Sequence, residues 1–160
     1  MGSTKYIGLG VPTIVDAFNI DLNSYDFLLK IIFTSFTLGA GFKGGAVTPL
    51  FFIGATLGNV LIWFIPMPMP LLAGMGFVAV FAGATNTPIA CTIMGIELFG
   101  IESGVFIALA CTTSYLFSGH SGIYSSQYIG SPKHLFYKDE KGLKLTEIEN
   151  KRAKKSHYKE

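Results

Sequence analysis

Gly44 and Gly45 open the longest apolar run of the chain, and their surroundings are typical of a ligand-binding turn. The segment reads GGAVTP and ends at Pro49. Glycine lets a backbone approach a ligand closely, and proline in the first turn of a helix needs no hydrogen-bond acceptor. The first amides of a helix have no acceptor within it, and the helix dipole makes them partly positive. The sequence therefore predicts an anion site at this helix N-terminus.

The same glycine segment has two other interpretations. In a structural one, which stays equally open, the glycines form a tight turn between packed helices and Thr48 hydrogen-bonds its own backbone. The other is a dinucleotide site, because the letters from Gly39 to Gly44 match GxGxxG. Here the motif follows a helix-like run instead of a strand, and no acidic residue comes about 20 positions later, so we reject this interpretation.

The remaining polar residues of the apolar region predict structural roles. We expect Glu97 to be hydrogen-bonded or near a membrane interface, His120 to be a hydrogen-bonded turn residue, and Lys43 to be a solvated loop residue. Asn86 and Thr87 are expected to cap the helix that follows them. The sequence has no nucleophile beside a base, no carboxylate pair and no metal-ligand cluster, so we expect neither an enzyme nor a cofactor. The two cysteines, Cys91 and Cys111, are predicted to be small buried hydrophobic residues.

The elements that hold these residues are defined by an uneven distribution of charge. Only 14% of the 160 residues are charged, against roughly 25% in a soluble domain. Residues 44–132 carry two charges, whereas residues 133–160 carry fourteen. We therefore expect a membrane domain over residues 1–132 and a charged tail over residues 133–160. The tail mixes both signs without an aromatic platform, which argues against nucleic acid. Because lysine and arginine next to membrane segments favour the inner side, we expect the tail to be cytoplasmic.

The apolar region divides into short helices. Residues 46–64 are the one predicted segment long enough to cross a hydrocarbon core of roughly 30 Å. The other predicted helices cover residues 25–38 after an N-cap at Ser24, and residues 71–83, 88–100 and 103–118. Short interrupted helices are typical of transporters and channels that hold ions at half-helix ends. A bundle of ordinary helices is the alternative. Small residues four apart, Gly54 with Gly58 and Gly100 with Gly104, predict close helix packing.

The segment GGAVTPLFFIGATLG, residues 44–58, resembles the GxFxP segment of the chloride channel and transporter (CLC) family. Residues 73–95 are similar to the helix pair that follows in the family. The order continues to Gly122-Ile-Tyr124, which is similar to the last helix that brings the family's anion-binding tyrosine to the pore. The likeness covers about residues 6–128. Because Val and Thr follow GGA, the segment most resembles the bacterial branch that exchanges fluoride for protons.

The resemblance implies a site for a small anion, fluoride or chloride. In it, the amides of Ala46 and Val47, beside Gly45, contact the anion, and the hydroxyl of Tyr124 donates to it. The hydroxyl of Thr48 is expected to reach the pathway. Amides and hydroxyls can replace the water of a strongly hydrated anion without a fixed charge, so such a path needs no basic residue. Without the resemblance, Tyr124 is typical of a membrane-interface aromatic residue.

The resemblance also implies an all-α membrane protein that is the C-terminal inverted-repeat half of a CLC-type transporter. We expect a multi-pass protein of the inner cell membrane, in a lipid bilayer, that is a homodimer when complete. The first half, with its proton-accepting gate glutamate, has no counterpart in this sequence, so we expect the lone chain not to transport. Fluoride/proton antiport by a longer parent protein is the predicted function. A chloride channel, a chloride/proton exchanger and a truncated non-transporting membrane module are the alternatives.

Overall fold

Helices joined by short turns make up the computed structural model, which describes residues 4–42, 44–133 and 140–157, with side chains up to Arg152. The α-helices are α1 (Val11–Asp16), α2 (Asp26–Gly39), α3 (Val47–Val60), α4 (Met69–Thr85), α5 (Pro88–Phe99), α6 (Gly104–Phe117) and α7 (Leu145–His157). Single 3-10 turns lie at Thr4–Tyr6, Leu61–Trp63 and Ile101–Ser103. The predicted all-α class is confirmed for the described residues.

The closest helix pair, α3 with α4, packs backbone against backbone through glycines. A Cβ atom at Gly58 would lie 2.2 Å from the carbonyl oxygen of Leu72, and one at Gly54 would lie 2.4 Å from that of Gly76. Neither position has room for a side chain. The two helices can therefore pack this closely only because both positions on α3 are glycine. The close packing predicted for Gly54 and Gly58 is confirmed.

The apolar core lies between α4, α5 and α6. Its buried members are Val78, Ala82, Cys91, Ile107 and Cys111. Both cysteines are free and buried, as predicted. Each of the three helices contributes to this cluster, so the core fixes the position of the turns at both ends of α5.

The four predicted helices other than the longest run match α2, α4, α5 and α6 to within two residues at every end. Two details of these helix ends were predicted wrongly. Tyr25, not Ser24, is the N-cap residue of α2, and no side chain caps that helix. Gly100 does not pack against a neighbouring helix: a Cβ there would meet nothing within 4 Å, and its φ of 87° ends α5 instead.

The predicted single helix over residues 46–64 is wrong, because α3 ends at Val60 after 14 residues. The chain then tightens into the 3-10 turn Leu61–Trp63. Helices commonly end in such turns, and Pro66 follows too closely for the helix to continue. In the described parts of the chain, every helix is too short or too polar to cross a membrane by itself.

One polar side chain of α3, Asn59, fixes the connection between α1 and α2. It is 1% exposed, and its amide nitrogen donates to the carbonyl oxygens of Ala17 at 2.8 Å and Ile20 at 2.9 Å. Its amide oxygen accepts from the backbone N–H of Leu22 at 3.0 Å. These bonds satisfy backbone groups that no helix pairs, so the irregular connection can lie against the apolar helix.

Candidate anion site at the N-terminus of α3

The first turn of α3 leaves backbone amides without acceptors. Ala46 is the N-cap residue, and no side chain caps the helix. The first helical hydrogen bond runs from the Leu50 amide to the Ala46 carbonyl at 3.1 Å. No described residue accepts a hydrogen bond from the amides of Ala46, Val47 and Thr48, and Pro49 has no amide hydrogen. The Thr48 hydroxyl likewise has no hydrogen-bond partner among the described residues. The hydrogen bond from Thr48 to its own backbone, expected in the structural interpretation, is therefore not formed.

A cavity of about 350 Å³ lies beside this turn. Gly44, Gly45 and Pro49 line it together with residues 6–9 and residues of α2, including Lys30. Gly45 is exposed, and a Cβ there would meet nothing within 4 Å. The turn therefore faces open volume large enough for a small anion and several water molecules.

Lys30 also lines this cavity, and the sequence patterns did not predict a basic residue there. Its side chain is 2% exposed. The Nζ atom donates to the carbonyl oxygens of Gly8 at 2.7 Å and Tyr6 at 3.2 Å, and lies 5.0 Å from the centre of the Phe52 ring. The signal that could have revealed it was a lysine among the large apolar residues of α2, a pattern that indicates function by default in a membrane segment.

The charged groups near Lys30 do not neutralise it. Asp26, one turn before Lys30, is fully buried and accepts hydrogen bonds from the Lys5 ammonium and the Tyr6 hydroxyl. Lys5 and Asp26 neutralise each other. The two acceptors of Lys30 are neutral carbonyls, so its charge has no counter-ion among the described residues. The cavity is therefore suited to an anion.

Tyr124 lies elsewhere, on the irregular segment that follows α6. Its side chain is 49% exposed, and it does not line the cavity at the start of α3. The segment is tied to the end of α4 by the Ile123 amide, which donates to the Ala84 carbonyl at 2.9 Å. Gly45 and Tyr124 are thus both accessible but do not share this cavity, and their joint role stays a prediction.

A second polar centre surrounds the Lys133 side chain, near the segment that bears Tyr124. The Nζ atom donates to Asn86 Oδ1, to Ser118 Oγ at 2.8 Å and to the Gly119 carbonyl at 2.6 Å. It also lies 4.0 Å from the centre of the Tyr115 ring. Burial lowers the pKa of Lys133 from its ordinary 10.5 to about 8. Lys133 therefore fastens the ends of α4 and α6 to the chain that follows.

His120 and Asn86 belong to this second centre. His120 is 2% exposed, shares a hydrogen bond of 2.6 Å with Glu140 through Nδ1 and accepts from the Lys133 amide through Nε2, which confirms the predicted hydrogen-bonded turn residue. The predicted capping of α5 is right for the position of Thr87, but it is wrong for Asn86 and for the capping hydrogen bond. Asn86 ends α4 at a φ of 58°, and Thr87 occupies the N-cap of α5 without a capping hydrogen bond. The Asn86 side chain donates to the Ser121 carbonyl at 3.0 Å instead.

Two further expectations concern isolated charges. Glu97 is exposed on α5 and forms no hydrogen bond with a described residue, so its predicted place near a membrane interface stays a prediction. Lys43 lies outside the described residues.

Short apolar helices that begin and end within a bundle, with unpaired amides at a helix start, are typical of transporters and channels. A sequence profile described as "Voltage gated chloride channel" matches residues 2–119. The chain therefore belongs to the voltage-gated chloride channel (CLC) family, whose members are membrane proteins. This confirms the resemblance described above.

Two curated proteins and one solved structure are similar to the chain. A chloride/fluoride channel protein of Pseudomonas syringae pv. tomato is 57% identical over 130 residues, which are 81% of this chain and 29% of that protein. An uncharacterized protein of Methanocaldococcus jannaschii is 26% identical over 115 residues, 69% of this chain and 29% of its own length. The crystal structure of a CLC-type fluoride/proton antiporter superposes with a TM-score of 0.72 at 41% identity, over 75% of this chain and 31% of that one.

The chain thus spans about three-tenths of the length of the relatives that it matches.

Proposed function

We propose that this chain is the C-terminal half of a longer fluoride/proton antiporter. In that protein the amides of Ala46 and Val47 contact the anion, and Gly45 keeps the approach to them open. The hydroxyl of Tyr124 donates to the anion, and that of Thr48 reaches the pathway. The 41% identity with a solved fluoride/proton antiporter supports the choice of anion and of coupling.

The observation that carries the proposal is the set of unpaired amides at the start of α3, next to a cavity that Gly45 and Lys30 line. Fluoride is small and strongly hydrated, so a site must offer several good donors in place of water. Backbone amides at a helix N-terminus supply such donors, and the Lys30 charge raises the local concentration of anions. The arrangement attracts an anion without enclosing it, as transport requires.

The proposal assigns proton coupling, a lipid bilayer and a partner subunit to the complete protein. The proton-accepting group belongs to the other half of the pore. The complete protein is a multi-pass homodimer of the inner membrane, with the tail after residue 132 on the cytoplasmic side. The dimer packs through helices that include α5 and α6, which carry exposed apolar residues such as Ile89 and Leu109.

A chimera tests the proposal, in which this chain replaces the matched portion of the Pseudomonas syringae protein. Reconstituted in liposomes, the chimera should release fluoride and take up protons in return. Tyr124→Phe, which removes one hydroxyl, should slow fluoride release by about tenfold, the size expected for losing a hydrogen bond to an ion. Gly45→Ala should also slow it, although its Cβ has free space and the fold is undisturbed. Unchanged flux in both variants would overturn the site assignment.

The same assay separates the alternative functions. A chloride channel would pass chloride current without moving protons, and a chloride/proton exchanger would move protons with chloride in preference to fluoride. A non-transporting membrane module would yield a folded chimera with neither flux. The Pseudomonas relative carries both anions in its name, so both are measured in parallel.

A further inference from the structure

The segment that bears Tyr124 has no helix or strand of its own to hold it. Within the described residues, the chain between the end of α6 at Phe117 and residue 133 forms only turns and one isolated bridge. A turn closed by the Gln127 amide and the Tyr124 carbonyl, at 3.0 Å, places the tyrosine at its first position. Such a segment needs contacts from elsewhere to keep one conformation.

Residues 142–146 supply those contacts on the side that follows Tyr124. The Thr146 hydroxyl and amide both donate to the Ser125 carbonyl, at 2.7 Å and 3.2 Å. The Leu145 amide donates to the Gln127 carbonyl at 3.1 Å, and the Ile129 amide donates to the Leu143 carbonyl at 3.0 Å. The first hydrogen bond therefore lies one residue after the tyrosine.

A small apolar cluster strengthens this pairing. Leu145 and Ile148 of α7 are 2% and 1% exposed, and both pack with Ile129 and Leu143. Leu145 also lies close to the chain just before the tyrosine, because a Cβ atom added at Gly122 would lie 3.4 Å from the Cδ1 atom of Leu145. Burying two large aliphatic side chains of α7 stabilises the contact by several times the free energy of one hydrogen bond.

Charged groups hold the other end of the same element. Glu140 accepts two hydrogen bonds of 3.0 Å from the Arg152 guanidinium and pairs with His120. Since His120 also binds the Lys133 amide, α7, the turn after α6 and residue 133 form one connected network. Together, residues 140–152 contact the tyrosine segment at its start, middle and end.

These contacts reach the neighbours of Tyr124 and not its hydroxyl, which has no hydrogen bond to any described residue. We propose that residues 140–152, here called the tail brace, position Tyr124 for the anion in the transporter proposed above. The brace lies outside the region matched by the family profile, which ends at residue 119. It is a positioning element of this chain and makes no contact with the ion.

The test uses the full-length chimera with 3-fluorotyrosine incorporated at position 124. Thr146→Val removes the hydroxyl that donates to Ser125, Thr146→Ser restores it, and Asn150→Ala is the matched control on an exposed site of α7. The fluorine NMR signal of position 124 should shift or broaden in Thr146→Val and return in Thr146→Ser. It should stay unchanged in Asn150→Ala. Leu145→Ala, which empties part of the apolar cluster, should give the larger change.

Flux supplies the second measurement. In Thr146→Val the KM for fluoride should rise by about fivefold, the size expected for one hydrogen bond, with a smaller change in maximal rate. An unchanged NMR signal in both Thr146→Val and Leu145→Ala would overturn the brace, whatever the flux. A changed signal with an unchanged KM would also overturn it, because the tyrosine position would then not matter. A chimera without any flux but with a brace-dependent signal would instead count against the proposed function and leave the positioning intact.

Discussion

Lys30 contributes both to the candidate site and to the fold, because its ammonium is buried and its acceptors are the carbonyls of a short connecting segment. A buried cation of this kind is stable only while those hydrogen bonds are made. The same bonds bring the segment before α1 to the wall of the cavity. The chemistry of the cavity and the folding of the segment before α1 therefore both depend on Lys30.

Replacing this lysine should destabilise the chain. Lys30→Met keeps the length of the side chain but leaves the carbonyls of Tyr6 and Gly8 without their donor, which costs about 1–3 kcal/mol. Lys141→Met, at an exposed position, should change the free energy of unfolding by less than about 0.5 kcal/mol. Thermal unfolding in detergent, followed by circular dichroism, measures both variants. Equal midpoints would mean that the bonds of Lys30 contribute nothing to stability.

Lys133 predicts a pH dependence whose sign follows from its lowered pKa. Between about pH 8 and pH 10.5 the folded chain has lost the proton and the unfolded chain still holds it. The unfolded state then binds more protons, so the contribution of Lys133 to stability rises with pH across this window. Below pH 8 both states are protonated, and the cost of burying the ammonium is present in full.

Lys133→Met isolates that contribution. The difference in unfolding free energy between wild type and Lys133→Met should be constant near pH 7 and should grow in favour of wild type between pH 8 and pH 10.5. Denaturant titrations in detergent at half-unit pH steps measure it. A difference that is flat over this range would show that Lys133 keeps its ordinary pKa.

At the scale of elements, glycine, proline and polar breaks in the sequence predicted four helices with little error, because those residues act locally on the backbone. Two other features could not be predicted, because they depend on partners distant in sequence. Asn59 stands in an uncharged run and gives no sign that it bonds residues 17–22. Lys30 could be noticed in the sequence, but its place beside Gly45 comes from the packing of α2 against α3. The glycine turn before α3 could be recognised in the sequence because its geometry is local.

The glycine contact between α3 and α4 makes a prediction at this scale. Gly58→Ala places a methyl group against the Leu72 carbonyl and must push the helices apart, at a cost of about 1–3 kcal/mol or more. Gly39→Ala is the matched control, since a Cβ at that helical position meets nothing within 4 Å and should leave stability unchanged or raise it by up to about 1 kcal/mol. Thermal unfolding of the two variants decides whether the glycines are required for packing.

The whole molecule is organised so that its candidate ligand groups face outward. The cavity at the start of α3 is bordered on one side by an exposed glycine turn, and Tyr124 is half-exposed on a separate segment. Large apolar side chains such as Phe36 and Phe117 are 77% and 85% exposed. A pore needs surrounding walls that exclude water and hold an ion between donors, and one set of helices forms only part of such walls.

This organisation predicts that the lone chain, reconstituted in liposomes, does not move fluoride. Its amides stay in contact with water, so they cannot compete with water for the ion. Supplying the first half of the Pseudomonas syringae protein as a separate polypeptide should restore release measured by a fluoride electrode. Tyr124→Phe should reduce that restored flux. Fluoride release from the lone chain that is lost in Gly45→Ala would contradict the prediction, because these 160 residues would then form a complete pathway, either alone or between copies.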